Sequence, residues 1–247
     1  MFLLKQYPEY IFNFEGAVKY AWMKEYYPAQ YEEMKKFIES GRWHISGASW
    51  DATDTLVPLI ESAIRNIMLG QDYYRKEFGV ESTDIFLPDC FGFGWTLPAI
   101  ASHCGLIGFS SQKLQWRNKS FYGNDKYPFT VGLWQGIDGS TIMMTHGYDY
   151  NQRFEDGDLS ENKDLLELTG HSPLHMVYRY YGTGDIGGSP TSESVRAVEQ
   201  GLQGNGPLQI VRDTSYRIYR DSPPYASHHE LPKYNGELLS DVHVTVY

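Results

Sequence analysis

The 247 residues carry 41% hydrophobic and 21% charged side chains, which suits a folded chain with a full core, as one large α/β domain or two small ones. A formal net charge of −10 and the lack of any basic run argue against nucleic acid or an anionic membrane as partner, and no stretch approaches the roughly 20 apolar residues of a membrane span. Two cysteines, Cys90 and Cys104, exclude a disulfide scaffold or a Cys-rich zinc module, and "MFLLKQYPEY" holds too short an apolar run for a signal peptide, so the compartment stays open.

In chain order, strands alternate with helices, the pattern of a parallel sheet or barrel. "YIFNF" (10–14) reads as a strand and "GAVKYAWMKEYY" as a helix that meets Pro28. "PAQYEEMKKFIES" is a second helix, with Pro at its first position and Gly41 just past its end. "RWHISG" (42–47) is a strand, and "ESAIRNIMLGQDYYRKEFG" a long amphipathic helix ending at Gly79. "DIFLP" is the third strand, "WTLPAIASHCG" a helix and "LIGFSS" (106–111) the fourth strand. "VGLWQGIDGSTIMMTHG" reads as a hairpin turning at Asp138-Gly139. Residues 149–164 are polar and acidic, a surface excursion. "HMVYRYYG" (175–182) and "LQIVRD" (208–213) read as strands, with a Gly-rich loop and a Thr191-capped helix between them.

Three strand ends carry acidic residues: "GASWDATDTLVP" with Asp51 and Asp54, "LPDCFGFG" with Asp89, and "GTGDIGGSP" with Asp185. In α/β proteins such ends face the ligand crevice. Two carboxylates meeting across a sugar are the apparatus of glycoside hydrolysis, yet a loop Asp taken alone is more often a turn or cap residue. The 20 Tyr and six Trp fit a sugar or aromatic ligand and fit a packed core equally well. His171 and His175 ("HSPLH") stand in HxxxH spacing, and no HxH or HExxH occurs; His44 reads as packing, and the His228–His229 pair as solvated surface. No GxSxG motif occurs, no Lys follows the Gly-rich loop to complete a phosphate cradle, and Cys90 reads as a packing residue.

The blocks "GRWHISGASWDATDTLVPLIESAIRNIMLGQDYYRKEFG", "DIFLPDCFGFGWTLPAIASHCGL", "QKLQW", "WQGIDGSTIM", "YGTGDIGGSPT" and "LPKYNGELLSDVH", in that order, closely resemble the catalytic domain of class II α-mannosidases, glycoside hydrolase family 38. The resemblance implies that residues 1–247 form a seven-stranded β/α barrel that hydrolyses terminal α-mannosides of glycans with retention, using one zinc ion. It maps the nucleophile, also a zinc ligand, to Asp89, the acid/base to Asp185 and a further zinc ligand to His243. Trp50, Tyr148 and Tyr150 become sugar platforms, and Asp51 and Arg65 substrate contacts or supports for Asp89. Departures accompany it. The family's opening strand with its His-x-Asp pair has no counterpart, so two of four zinc ligands are missing and the chain reads as a fragment, incomplete at both ends. Leu59 and Ile60 stand where the family has small residues. Two other readings stay open: a barrel that binds mannose-type glycans without cleaving them, and a polysaccharide deacetylase-like metal hydrolase. A homo-oligomer is left open.

Overall fold

A computed structural model describes residues 1–115, 129–146, 152–184, 187–221 and 231–239. Chain order runs α1 (Phe2–Gln6), β1 (Phe12–Phe14), α2 (Ala17–Tyr26), α3 (Pro28–Glu39), β2 (Trp43–Ile45), α4 (Ile60–Phe78), β3 (Asp84–Phe86), β4 (Gly92–Phe93), α5 (Leu97–His103) and β5 (Gly108–Ser111). It continues with β6 (Val131–Gln135), β7 (Thr141–His146), α6 (Lys163–His171), α7 (Ser192–Gln203), α8 (Arg217–Asp221), β8 (Lys233–Asn235) and β9 (Leu238–Leu239). No helix among the described residues is long and apolar enough to cross a membrane.

The α/β class holds. Strands β1 and β2 pair in parallel, and a five-stranded sheet runs β3-β5-β7-β6-β8. Within it β3, β5 and β7 are parallel, while β6 opposes β7 as the expected hairpin. Asp138 Oδ1 accepts from Ser140 N at 3.0 Å and Gly139 takes φ +86°, the conformation that the Asp-Gly turn signal anticipates. The two ladders meet through one backbone bond, Ala48 N to Asp84 O at 3.0 Å. No pairing among the described residues closes them into a barrel.

Each face of the five-stranded sheet has its own cover. On one, Ala63 and Ile67 of α4 and Ile100 and Ala101 of α5 pack against Ile85, Phe109 and Met144. The buried positions of α4 (Ala63, Ile67, Gly70, Tyr74) follow the helical repeat read from its sequence. On the other face Ile218 and Tyr219 of α8 pack against Val131, Leu133 and Met143. A third, aromatic-rich cluster joins α1–α3 to β1 and β2; there Trp43 Nε1 donates to Tyr20 Oη, which donates to Phe14 O, both at 3.0 Å.

Asp84, at the head of β3, is fully buried. Its carboxylate accepts from Ser46 Oγ (3.0 Å), Ser82 Oγ (3.1 Å) and Gly47 N (3.3 Å), and Ser215 Oγ lies 3.3 Å away.

Three expectations give way. Residues 175–182 form no strand: Thr145 Oγ1 of β7 donates to Tyr178 Oη at 2.9 Å and Tyr180 meets Phe86 of β3 at 4.8 Å, so the segment crosses the sheet face. Its alternating aromatics serve that packing. Residues 208–213 are extended without a ladder, tied by Leu208 N to Ser160 O at 3.1 Å. The excursion after residue 151 is anchored by a one-turn 3-10 helix, Leu159–Glu161, with Leu159 and Ser160 buried.

Gly70 allows the closest approach between the α4 backbone and the loop after β2: a Cβ there would stand 2.2 Å from Ala48 O and 2.4 Å from Ser49 C. Gly70→Ala should therefore cost about 1–3 kcal/mol, seen as a lower urea midpoint. An unchanged midpoint would mean that the loop does not rest on α4.

Candidate active site

The strands deliver their ends to one cavity of about 940 Å3. Phe14 and Glu15 follow β1 into it, Ser46 follows β2, and Phe86 and Pro88 come from the end of β3. The opposite wall is the Gly-rich loop, through Gly182–Gly184 and Gly187–Gly188, with α1 along a third side. The loop is pinched by an antiparallel bridge between Thr183 and Gly188. Asp185 lies outside the described residues, as do Tyr148, Tyr150 and His243. The wall is rich in aromatic rings, a surface on which the CH faces of a sugar can pack.

Asp89 comes directly after Pro88, and its side chain is 59% exposed. Its carboxylate Oδ1 is 2.7 Å from the Nζ of Lys113, a residue only 7% exposed. Lys113 opens the one-turn 3-10 helix Lys113–Gln115 that follows β5, and its ammonium also sits over the Phe91 ring at 5.2 Å. Two backbone bonds seat the block: Leu87 N donates to Ser110 O at 3.1 Å and Gln112 N to Pro88 O at 3.3 Å. Beyond Asp89 the chain turns into β4, which pairs antiparallel with β9. At Gly92 a Cβ would stand 2.8 Å from Leu56 Cδ1, the end of an exposed side chain, and 3.4 Å from Leu238 O of β9. Phe93 then plugs the core against Phe109, ring centroids 4.7 Å apart.

The loop after β2 holds Trp50 and Asp51 from two directions. Ala17 N and Val18 N at the start of α2 donate to Ser49 O and Trp50 O, satisfying amides that a helix leaves open. Asn66 of α4 brackets Asp51: its Oδ1 accepts from Asp51 N at 3.2 Å, and its Nδ2 donates to Asp51 O at 2.8 Å. Trp50 packs edge-on against Tyr73 at 5.8 Å. Lys19 lies between the cavity wall and this loop, paired with Glu15 and 3.9 Å from Asp51 Oδ1. Asp54 Oδ1 accepts from Leu56 N at 2.7 Å, which makes it a turn residue. Arg65 pairs with Glu61 at 2.6 Å on the exposed side of α4, so the cation beside Asp89 is Lys113 and not Arg65. No local pattern in "QKLQW" signals that role; it appears once β3 and β5 are neighbours.

A model of glycosyl hydrolases family 38, N-terminal domain, matches residues 1–237. The chain belongs to glycosyl hydrolase family 38. It is 34% identical to alpha-mannosidase G of Dictyostelium discoideum across 98% of its length, and 30% identical to an alpha-mannosidase of Saccharomyces cerevisiae across 99%. The chain spans 22% and 23% of the lengths of these two relatives. An alpha-mannosidase structure from Enterococcus faecalis superposes on 96% of the chain, and on 27% of its own, with a TM-score of 0.72 at 17% identity, which shows a shared fold.

For this family 38 chain the zinc expectation can be tested against the donor set. Among the described residues no group of three or more His, Cys, Asp or Glu side chains is placed to hold a metal ion, and Asp89 gives Oδ1 to an ammonium. The described residues thus do not by themselves fit a zinc centre.

Cys90 packs with its Sγ 3.4 Å from Thr53 O. Burial, with Asp54 and Asp89 nearby, pushes its thiol up to about 12. At pH 8 the thiolate fraction is on the order of 10⁻⁴, so iodoacetamide should leave Cys90 unmodified in the folded chain and label it after unfolding, as read by peptide mass spectrometry. Labelling of the folded chain at the rate of a free thiol would make Cys90 a reactive group.

Proposed function

We propose that this chain carries the glycosidase site of an α-mannosidase, acting with retention on terminal α-D-mannosides of glycans. The observation that carries the proposal is Asp89, set immediately after the end of β3 and Pro88 with its carboxylate anchored by Lys113. Family membership and the names of the relatives supply the sugar.

The reaction is written with the chain's own carboxylates. An Asp89 oxygen attacks the anomeric carbon, the bond to the aglycone oxygen breaks, and Asp185 gives that oxygen its proton. Asp185 then takes a proton from water, whose oxygen attacks the anomeric carbon and expels the Asp89 carboxylate. Two inversions leave the configuration retained, which requires the two carboxyl groups roughly 5–5.5 Å apart. In this reading Trp50, Tyr148 and Tyr150 offer ring faces to the sugar, and Asp51 and Arg65 serve its hydroxyls. The bracketing of Asp51 by Asn66 supports its part, since a contact of this kind needs a fixed backbone.

The same reading includes an incomplete seven-stranded barrel, supported by the parallel pairs β1-β2, β3-β5 and β5-β7 and by the bond from Ala48 N to Asp84 O between the two ladders.

Asp89→Asn should lower turnover of an aryl α-mannoside by at least about 10³-fold, with an unchanged circular dichroism spectrum. A fluorinated mannosyl fluoride should leave an ester on the peptide that contains Asp89. Turnover within about tenfold of the parent chain would remove Asp89 from the role of nucleophile.

A further inference from the structure

The Asp89–Lys113 pair is asymmetric. The acid is more than half exposed, while the lysine side chain is only 9% exposed. Burying an ammonium is costly unless an opposite charge and good geometry compensate it, so a buried lysine is held where its partner is. Three described neighbours restrict the movement of Lys113. Leu114, next in the chain, is 5% exposed and belongs to the main core. Gln112, just before it, is bonded through its backbone to Pro88, the residue preceding Asp89. Phe91, two residues after Asp89, lies beneath the ammonium. The cation is thus built into the same rigid corner that presents the acid.

We propose that Lys113 is the positioning residue of this site, holding Asp89 Oδ1 so that the carboxylate stands fixed for attack on the anomeric carbon. This rests on the reading of Asp89 as nucleophile. The ammonium has a second task in the return step. When water attacks the anomeric carbon and expels the Asp89 carboxylate, the electron pair of the ester bond goes back to Asp89, and negative charge develops beside a cation that needs no rearrangement to receive it. Lys113 touches neither the sugar nor water in this role; it acts through Asp89.

The test compares Lys113→Met, Lys113→Gln and Lys113→Arg in steady-state turnover of an aryl α-mannoside, with folding followed by near-UV circular dichroism. Lys113→Met should lower kcat by about 10²-fold, the effect of a loosened reacting group, and leave KM within about twofold. Lys113→Gln, which keeps a donor without the charge, should be intermediate and also covers the case in which the Met variant fails to fold. Lys113→Arg should recover most of the loss, and methylammonium added to Lys113→Ala should restore part of it. A folded Met or Gln variant with the parent's kcat overturns the role of Lys113 while leaving Asp89 untouched. Loss confined to KM, or failure of both arginine and methylammonium to rescue, also overturns it. Persistent turnover in Asp89→Asn, or none in the parent chain, removes the reading beneath the inference and the inference with it.

Discussion

A carboxyl group sealed from solvent, that of Asp84, joins three stretches of chain that lie far apart in sequence. Ser46 and Gly47 reach it from the end of β2, Ser82 from just before β3, and Ser215 from the returning segment ahead of α8. A buried polar group without partners costs free energy, so these donors have to converge for the chain to fold. That requirement matters because, among the described residues, the two ladders are joined by one backbone bond, and a contact of that size does not fix an angle between sheets. The Asp84 cluster does. It aims β3, and β3 ends in the Pro88-Asp89 corner.

From that anchor the cavity follows. β1, β2 and β3 all run in toward it, so Glu15, Ser46 and Pro88 arrive on one side without any long loop having to reach. The Trp50-Asp51 loop is braced by the amides of α2 and the side chain of Asn66, and Asp89 by the corner after β5. Glu15 and Asp89 thereby have companion amines from other elements: Lys19 for Glu15, Lys113 for Asp89.

Much of this was legible in the sequence, for physical reasons that also mark the limits. Helices α2, α3, α4 and α7 declare themselves through apolar spacing and end signals, because a helix closes its hydrogen bonds and carries its end signals within its own segment. The β6–β7 hairpin is read from Asp138-Gly139 for the same reason. Strands β4, β8 and β9, two or three residues long, exist only through their partners, and no local pattern marks them. The departure at 175–182 has the opposite origin: the alternation is real, but Tyr178 and Tyr180 use it to lie across the sheet instead of pairing in a ladder. In the site, Asp89 is visible from its Pro and Gly neighbours. Lys113 is not, since its meaning comes from the adjacency of β3 and β5.

The pairing of β4 with β9 bears on the order in which such a chain can mature. The segment that carries Asp89 is fastened at 92–93 by residues 238–239, so the corner stays half-clasped until nearly all the intervening chain has been made and packed. Closing so long a loop has its entropic cost first and its reward last, which places this contact among the late events of folding. Until then the Gly92–Phe93 edge is bare backbone, a surface to which a stray strand can add. A nascent polypeptide of this design would shelter its reactive corner last, and its dependence on chaperones would be greatest in that interval.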